Sequence, residues 1–395
     1  MTIARRFSLS MFLVSFGVLV VSSAGAMFPS PALAADYDLP HLQAGASRGS
    51  VSEELALATA YMNGKGVTQD LKMAAYWYEK AAKSGDPLAE NQIGFLYQTG
   101  QGVQADPVRA FHWYQLAAAA GVVRAKTNLA VLYSWGTGVA QDQPLAAKLF
   151  QEAAKEGDGY AAGNLGNLYY FGRGVKQDRA VAEAWFKTGV KMHDPISAFN
   201  LGLLWSTVAD HPHDVSRAAS LLRKSADAGY VKGMSSLGSL LLRHPELAHS
   251  ASEARSLLER ASAAGSWRST VVLGILARDG IDAAPDPETA YYLFCLAALQ
   301  GGGPAREFTA HDLPVLAEKL PPERPAALKA RADESYRQHP DELEFISTTG
   351  RKEKAFPTRQ RAVPEIMTTP DAWSFRSLPV PTPARGNPRA PAIGN

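Results

Sequence analysis

The sequence predicts an all-α protein, a right-handed α-solenoid of about seven 36-residue helix-turn-helix repeats with capping helices at its C-terminal end. When the chain is written in rows of 36 residues, one small residue aligns in every row without a single insertion. Each small residue follows a Leu or an Ile, and an alanine recurs sixteen positions after it. Such a fixed period is typical of stacked repeats. The small residues of rows one to seven are Ala58, Gly94, Ala130, Gly166, Gly202, Gly238 and Gly274.

Each row predicts two short helices joined by a turn. In row two, Ile93 and Tyr97 have the spacing of one apolar helical face. A glycine-rich turn follows at 100–103, and Asp106 then supplies an N-cap ahead of a proline at the first helical position. Trp113 lies on the apolar face of the second helix, so we expect the aromatic residues at this period to be core residues. One pair cannot bury its own apolar face, but stacked pairs bury a continuous core.

Row two resembles the repeat of the Sel-one-like repeat (SLR) family, a branch of the tetratricopeptide-like α-solenoids. The resemblance covers residues 51–303, although rows five to seven lose the Gly-x-Gly turn. It implies a paired-helix solenoid whose first helices line a concave face that binds extended peptides. The residues that carry it are Ala89, Ile93-Gly94, Tyr97, Gly100-Gln101-Gly102-Val103, Asp106, Ala110, Trp113-Tyr114, Ala117-Ala118 and Gly121.

The two ends of the chain differ from the repeats. Residues 1–34 predict a signal peptide, with Arg5 and Arg6 ahead of an apolar run and cleavage after Ala26 or Ala34. We therefore expect a periplasmic protein with no stable membrane span after cleavage. Residues 35–50 are predicted to be a linker, 304–346 to be C-terminal capping helices, and 347–395 to be a proline-rich, basic, disordered tail.

The composition excludes several classes of function. A formal net charge of +2 argues against a nucleic-acid partner, and a single cysteine permits no intramolecular disulfide. Some cysteine-rich members of the resembled family are linked to β-lactam hydrolysis, an alternative that the missing disulfides and the missing Ser-x-x-Lys motif disfavour. The segment 211–214 (His-Pro-His-Asp) is the one cluster of metal-ligand types, and we interpret it as a solvated loop. Cys295 lies beside the apolar stripe and is predicted to be a buried free thiol. We predict no catalytic residue, no metal and no cofactor.

The remaining candidate is a surface on the first helices of rows two to four. Amides recur there one position before the Leu or Ile that precedes each small residue. They either bind a peptide backbone or tie neighbouring helices together. The sequence thus predicts a non-catalytic adaptor for a protein or extended peptide. A peptidoglycan- or polysaccharide-associated scaffold is the alternative, favoured by the aromatics Trp135, Tyr170 and Phe171 and by the basic tail. The predicted partner-binding residues are Gln92, Phe95, Arg124, Asn128, Tyr160, Asn164, Asn167 and Tyr170.

Overall fold

A computed structural model describes residues 39–207, 215–250, 252–281 and 283–338. Within these ranges the regular structure is helical throughout, which confirms the all-α prediction. A short helix α1 (Leu39–Ser47) precedes seven helix pairs, here called rows one to seven. The pairs are α2 (Val51–Asn63) with α3 (Leu71–Lys83), α4 (Pro87–Thr99) with α5 (Pro107–Ala119), α6 (Val123–Trp135) with α7 (Gln143–Lys155), α8 (Gly159–Phe171) with α9 (Arg179–Lys191), α10 (Pro195–Thr207) with α11 (Val215–Asp227), α12 (Val231–Arg243) with α13 (Glu253–Ala263), and α14 (Trp267–Asp279) with α15 (Pro287–Gln300).

The small residue of each first helix receives a large side chain of the second helix. A Cβ added to Gly166 would lie 2.6 Å from the ring of Phe186, so only a small residue permits this contact. The large side chain that fills this space lies twenty positions after each small residue. It is one position later than the tryptophans Trp77, Trp113 and Trp185. Trp113 is buried as predicted, but Trp77 and Trp185 are only partly buried because they pack on the core from outside. The buried filling side chains are Tyr78, Tyr114, Phe150, Phe186, Leu222, Leu258 and Phe294.

The Gly-x-Gly turns of rows two to four end the first helix and also contact the preceding row. Gly100 has a φ of 71° and its N–H donates to the Leu96 carbonyl, which is the predicted helix end. Gly102 also has a φ of 71°, and a Cβ there would lie 2.0 Å from the Leu71 carbonyl at the start of α3. The second glycine therefore sets how closely one row approaches the next.

Both ends of the stack carry additional helices. The segment 35–50, expected to be a linker, instead contains α1, which packs on α2 in the manner of a second helix from a preceding row. At the other end, α16 (Gly302–Thr309), α17 (Asp312–Ala317) and α18 (Arg324–Gln338) follow row seven. Helix α18 packs on α15 and buries Leu328 and Ala332.

The predicted signal peptide and tail lie outside the described residues. Among the helices that the structure does describe, none combines the length and apolar character that crossing a membrane requires.

Candidate partner-binding face

The eight predicted partner-binding residues all lie on three first helices. Gln92 and Phe95 are on α4, Arg124 and Asn128 on α6, and the other four on α8. Arg124 is exposed, and the remaining seven are partly buried. We call these residues the inner face. The name follows the expectation that the first helices line the concave side of the solenoid. From α8 to α14, successive first helices pack on each other.

Two amides of the inner face bond to a neighbouring first helix. Asn128 Nδ2 donates to Asn91 Oδ1 at 3.0 Å, which joins α6 to α4. Asn200 Nδ2 donates to Asn167 Oδ1 at 3.1 Å, which joins α10 to α8. Asn164 instead donates to a carbonyl of its own helix. The amides therefore do not form one continuous row, and two of the bonds tie helices together. Asn91 was not among the predicted residues, because its register lies one position earlier.

Arg124 is held between α6 and α8. Its guanidinium lies 3.4 Å from Asp158 Oδ2 and 5.9 Å from the centre of the Tyr160 ring. Thr127 Oγ1 donates to the same carboxylate oxygen at 2.8 Å, and Asp158 also caps α8 through the N–H of Tyr160. Asp158 is buried, so its charge is compensated by these donors. The joint between rows three and four thus places Arg124 beside Tyr160.

The next joint, between α8 and α10, lacks the equivalent hydroxyl. Gly163 stands where Thr127 stands one row earlier, and Asp194 stands where Asp158 does. Asp194 caps α10 through the N–H of Ser197, and both the Asp194 carboxylate and the Ser197 side chain are buried. Burial, with a smaller contribution from Asp158, raises the pKa of Asp194 to about 6. No sequence motif signals this group, since its environment arises only when the two rows pack.

Aromatic and basic side chains meet at the end of α8. The Tyr170 and Phe171 rings form an edge-to-face pair with centroids 5.0 Å apart. Arg179 lies 5.7 Å from the Tyr170 ring, and Arg173 lies 5.2 Å from the Phe171 ring. All three aromatics of the polysaccharide hypothesis, Trp135 included, are partly buried.

Residues of α4 remain separate from this cluster. Phe95 packs against the core of rows one to three, whereas Gln92 is partly buried at the same face. The structure therefore brings together Arg124 with Tyr160 and Asn167 with Asn200, but it does not bring Gln92 and Phe95 into contact with α8.

The described residues offer little for catalysis or metal binding. They contain no group of three or more His, Cys, Asp or Glu side chains arranged to hold a metal ion. The segment 211–214 lies outside the described residues. Cys295 is a buried free thiol, as predicted, and burial raises its pKa to about 11, which keeps it protonated at neutral pH.

Comparison with known proteins identifies the repeat. The family model of the Sel1 repeat matches residues 54–86, 87–122, 123–158, 159–193, 195–230 and 271–302, more than half of the chain. Row six is not matched, and in the structure a 3-10 turn at Pro245–Leu247 replaces its glycine turn. No match was found among curated proteins.

Two crystal structures illustrate the likeness. A Sel1 repeat protein from Oxalobacter formigenes is 28% identical, aligns over 62% of this chain and 98% of its own, and superposes with a TM-score of 0.54. A protective antigen present in uropathogenic Escherichia coli strains, which displays an SLR fold, is 22% identical over 78% of this chain and 74% of its own, with a TM-score of 0.43. On the six matched repeats and the paired helices that contain them, the chain belongs to the Sel1 repeat family.

Proposed function

We propose that this Sel1 repeat protein is a non-catalytic periplasmic adaptor that holds an extended segment of a partner protein on its inner face. Proteins of the family are generally interaction scaffolds without catalytic activity. The proposal places the partner segment across α4, α6 and α8. With helix pairs spaced about 10 Å apart, three rows span about 30 Å, which accommodates about nine extended residues.

The observation that supports this site is the hydrogen-bonding capacity left on the Asn91–Asn128 pair. An amide side chain carries two N–H donors and one carbonyl acceptor. Their mutual bond uses one donor of Asn128 and the acceptor of Asn91. Asn91 Nδ2 and Asn128 Oδ1 have no partner among the described residues, so a donor and an acceptor are left side by side. A peptide backbone requires that combination.

The periplasmic location rests on residues 1–34 alone. The test is the mass of the mature protein isolated from the native cell envelope. Cleavage predicts a chain that begins at Met27 or Ala35, and a full-length chain in the cytoplasmic fraction would refute this part of the proposal.

The binding face is tested by photo-crosslinking. A benzoylphenylalanine at Phe95, on the inner face, should capture the partner, whereas the same group at Val108, 63% exposed on α5, should not. The captured partner then serves in affinity measurements with the triple variant Asn128→Ala, Asn164→Ala, Tyr170→Ala. We expect at least a tenfold loss of affinity, about 1.4 kcal/mol, with a nearly unchanged melting midpoint.

A matched control places three alanines on exposed second-helix positions, Gln115, Lys148 and Lys155. This control should bind as the wild type does. A folded inner-face triple variant with wild-type affinity, or a control with equal loss, would contradict the proposed face.

A second candidate function is attachment to an envelope polysaccharide. The ring pair Tyr170 and Phe171 with its two arginines favours it, because sugar rings stack on aromatic faces next to polar donors. The two functions are separated by retention on purified peptidoglycan. Loss of retention in Tyr170→Ala and after deletion of 347–395 would favour the polysaccharide, and no retention of the full chain would exclude it.

A further inference from the structure

Row one contains a cation site that is filled by the chain itself. Lys80 Nζ lies 2.8 Å from Glu54 Oε1 and donates to the Ala46 carbonyl at 2.8 Å. It also stands 4.9 Å from the centre of the Trp77 ring. Glu54 is only 1% exposed, so the ammonium compensates a carboxylate that has been withdrawn from water.

Row two repeats the acceptors of this site without the cation. Thirty-six residues later, Glu90, the Ala82 carbonyl and Trp113 occupy the three acceptor positions, but Leu116 replaces the lysine. The two carbonyls share their other partner as well, since each accepts the N–H of the glycine three residues later. The same backbone arrangement therefore presents a carboxylate, a carbonyl and an indole ring with no ammonium among them.

Glu90 has no ion-pair partner among the described residues. Its side chain is 7% exposed, its carboxylate accepts no hydrogen bond there, and the charges that act on it are those of Asp86 and His112. Burial and then the nearby Asp86 raise its pKa, while His112 on α5 opposes them. An unpaired buried carboxylate is costly, and a cation that reaches it gains the full benefit of pairing.

No other row in the described ranges has this combination. Row three carries Lys126 at the glutamate position, and that lysine pairs with Glu156 at 2.6 Å. Rows four to seven carry uncharged residues there, Ala162, Ala198, Met234 and Thr270. The unpaired acceptor set is therefore specific to row two and is not a general property of the repeat.

The rim of the site is apolar. Leu116 is 40% exposed and Leu88, two residues before Glu90, is 37% exposed. Exposed leucines beside a buried carboxylate suit a compact ammonium at the end of an aliphatic stem, which is a lysine side chain. The intramolecular ligand of row one is also a lysine.

We propose that Glu90, Trp113 and the Ala82 carbonyl form a binding site for a lysine side chain of the partner, flanked there by apolar residues. The site deepens the proposed function and rests on it, because Glu90 lies on α4, one of the three helices assigned to the partner segment, and Trp113 lies on the adjoining α5. The site requires that the partner segment carry a lysine where it passes row two.

The test compares two peptide libraries on the full chain. Both are nonapeptide libraries with leucines around a fixed central residue, which is lysine in one and its uncharged analogue norleucine in the other. We expect the lysine library to bind at least tenfold more tightly. Glu90→Gln, which keeps the shape and removes the charge, should abolish that preference.

A second variant keeps the test independent of Glu90 itself. Leu116→Lys restores the lysine of row one, so it should raise the melting midpoint and abolish the lysine preference by filling the site. Gln115→Lys adds the same charge at the adjacent exposed position and should leave the preference intact.

The outcomes separate the two proposals. Equal binding of both libraries, still weakened by the inner-face triple variant, overturns the lysine site and leaves the proposed function standing. Binding of neither library overturns the proposed function and the site with it. A Leu116→Lys protein that matches Gln115→Lys in melting midpoint and in preference also overturns the site.

Discussion

Rows one to four and rows five to seven differ in how the turn after the first helix packs against the preceding row. In rows two to four the second glycine of the turn packs against the start of the preceding second helix, as Gly138 does against the Pro107 carbonyl, and we call this contact the glycine wedge. The later rows carry Asp210, Glu246 and Asp282 at that position. From α8 onward, successive first helices pack directly on one another, whereas from α2 to α8 they stay further apart.

The consequence is seen on the inner face. In the early rows, side chains such as Gln92, Asn128 and Asn167 are partly buried, but Asn200 and Leu203, at corresponding positions of row five, are buried. Loss of the glycine wedge accompanies closure of the inner face. Rows two to four therefore keep part of these side chains exposed to a partner. In row five, the side chains at the corresponding positions are buried in contacts between rows.

The largest expected effect concerns a contact that both regions share, in which a large side chain of the second helix packs against the small residue of the first helix. Phe186→Ala in row four should lower the free energy of unfolding by about 3–5 kcal/mol, because it empties the space beside Gly166. Leu222→Ala, its row-five counterpart, removes a smaller side chain and should cost about 2–5 kcal/mol. Chemical denaturation measures both. Trp185→Ala, one position earlier, is the control. An equal loss of unfolding free energy in Trp185→Ala and Phe186→Ala would contradict the assignment of Phe186 as the side chain that packs against Gly166.

The next effect tests the glycine wedge. Gly138 has a φ of 71°, and a Cβ there would lie 2.2 Å from the Pro107 carbonyl oxygen. Gly138→Ala should therefore cost about 2–5 kcal/mol from backbone strain and overpacking together. Gly121→Ala is matched to it, since Gly121 also has a positive φ of 88° but nothing within 4 Å. Its cost should be the backbone part alone, about 1–2 kcal/mol. Equal losses in the two variants would show that the wedge contact does not hold the rows.

The smallest effect lies at the joint between the two regions and depends on pH. The pKa of Asp194 is raised from 3.8 to about 6, so its ionised form destabilises the folded state above pH 6, and this penalty disappears as the pH falls towards 3.8. Asp194→Asn keeps the helix cap and removes the charge. It should stabilise the protein by about 1–3 kcal/mol at pH 7 and by little at pH 4, as followed by melting midpoints. Asp178→Asn, an exposed cap of α9, should show no such trend, and the same trend in both variants would remove the role of burial.

Much of the local architecture could be predicted from the sequence. The start of each first helix recurs at 36-residue intervals from Val51 to Trp267, as the row alignment requires. Asp106 caps α5 and Gly100 ends α4 where the pattern indicated. These features depend on neighbouring residues and on a period, and both are visible in one dimension.

The exceptions arise where distant residues meet. The segment 35–50 has no full repeat and is predicted from the sequence to be a linker, yet its nine-residue helix α1 packs on α2 as a second helix of a preceding row would. The amides recur at a regular register, yet Asn128 bonds to Asn91 and Asn164 to its own helix. Register alone does not decide the partner of a hydrogen bond, because two neighbouring rows each offer several acceptors within reach.

The sequence by itself determined the repeat, its period and the helix ends, because hydrophobic spacing and turn glycines act over a few residues. Only the tertiary structure decided which first-helix side chains are buried, which carboxylates lack a partner and which side chain packs against each small residue. Glu54 and Glu90 look alike in the sequence, and their difference depends on whether the facing residue is Lys80 or Leu116. Burial turns that one substitution into an unpaired charge, and burial is a property of the packed rows.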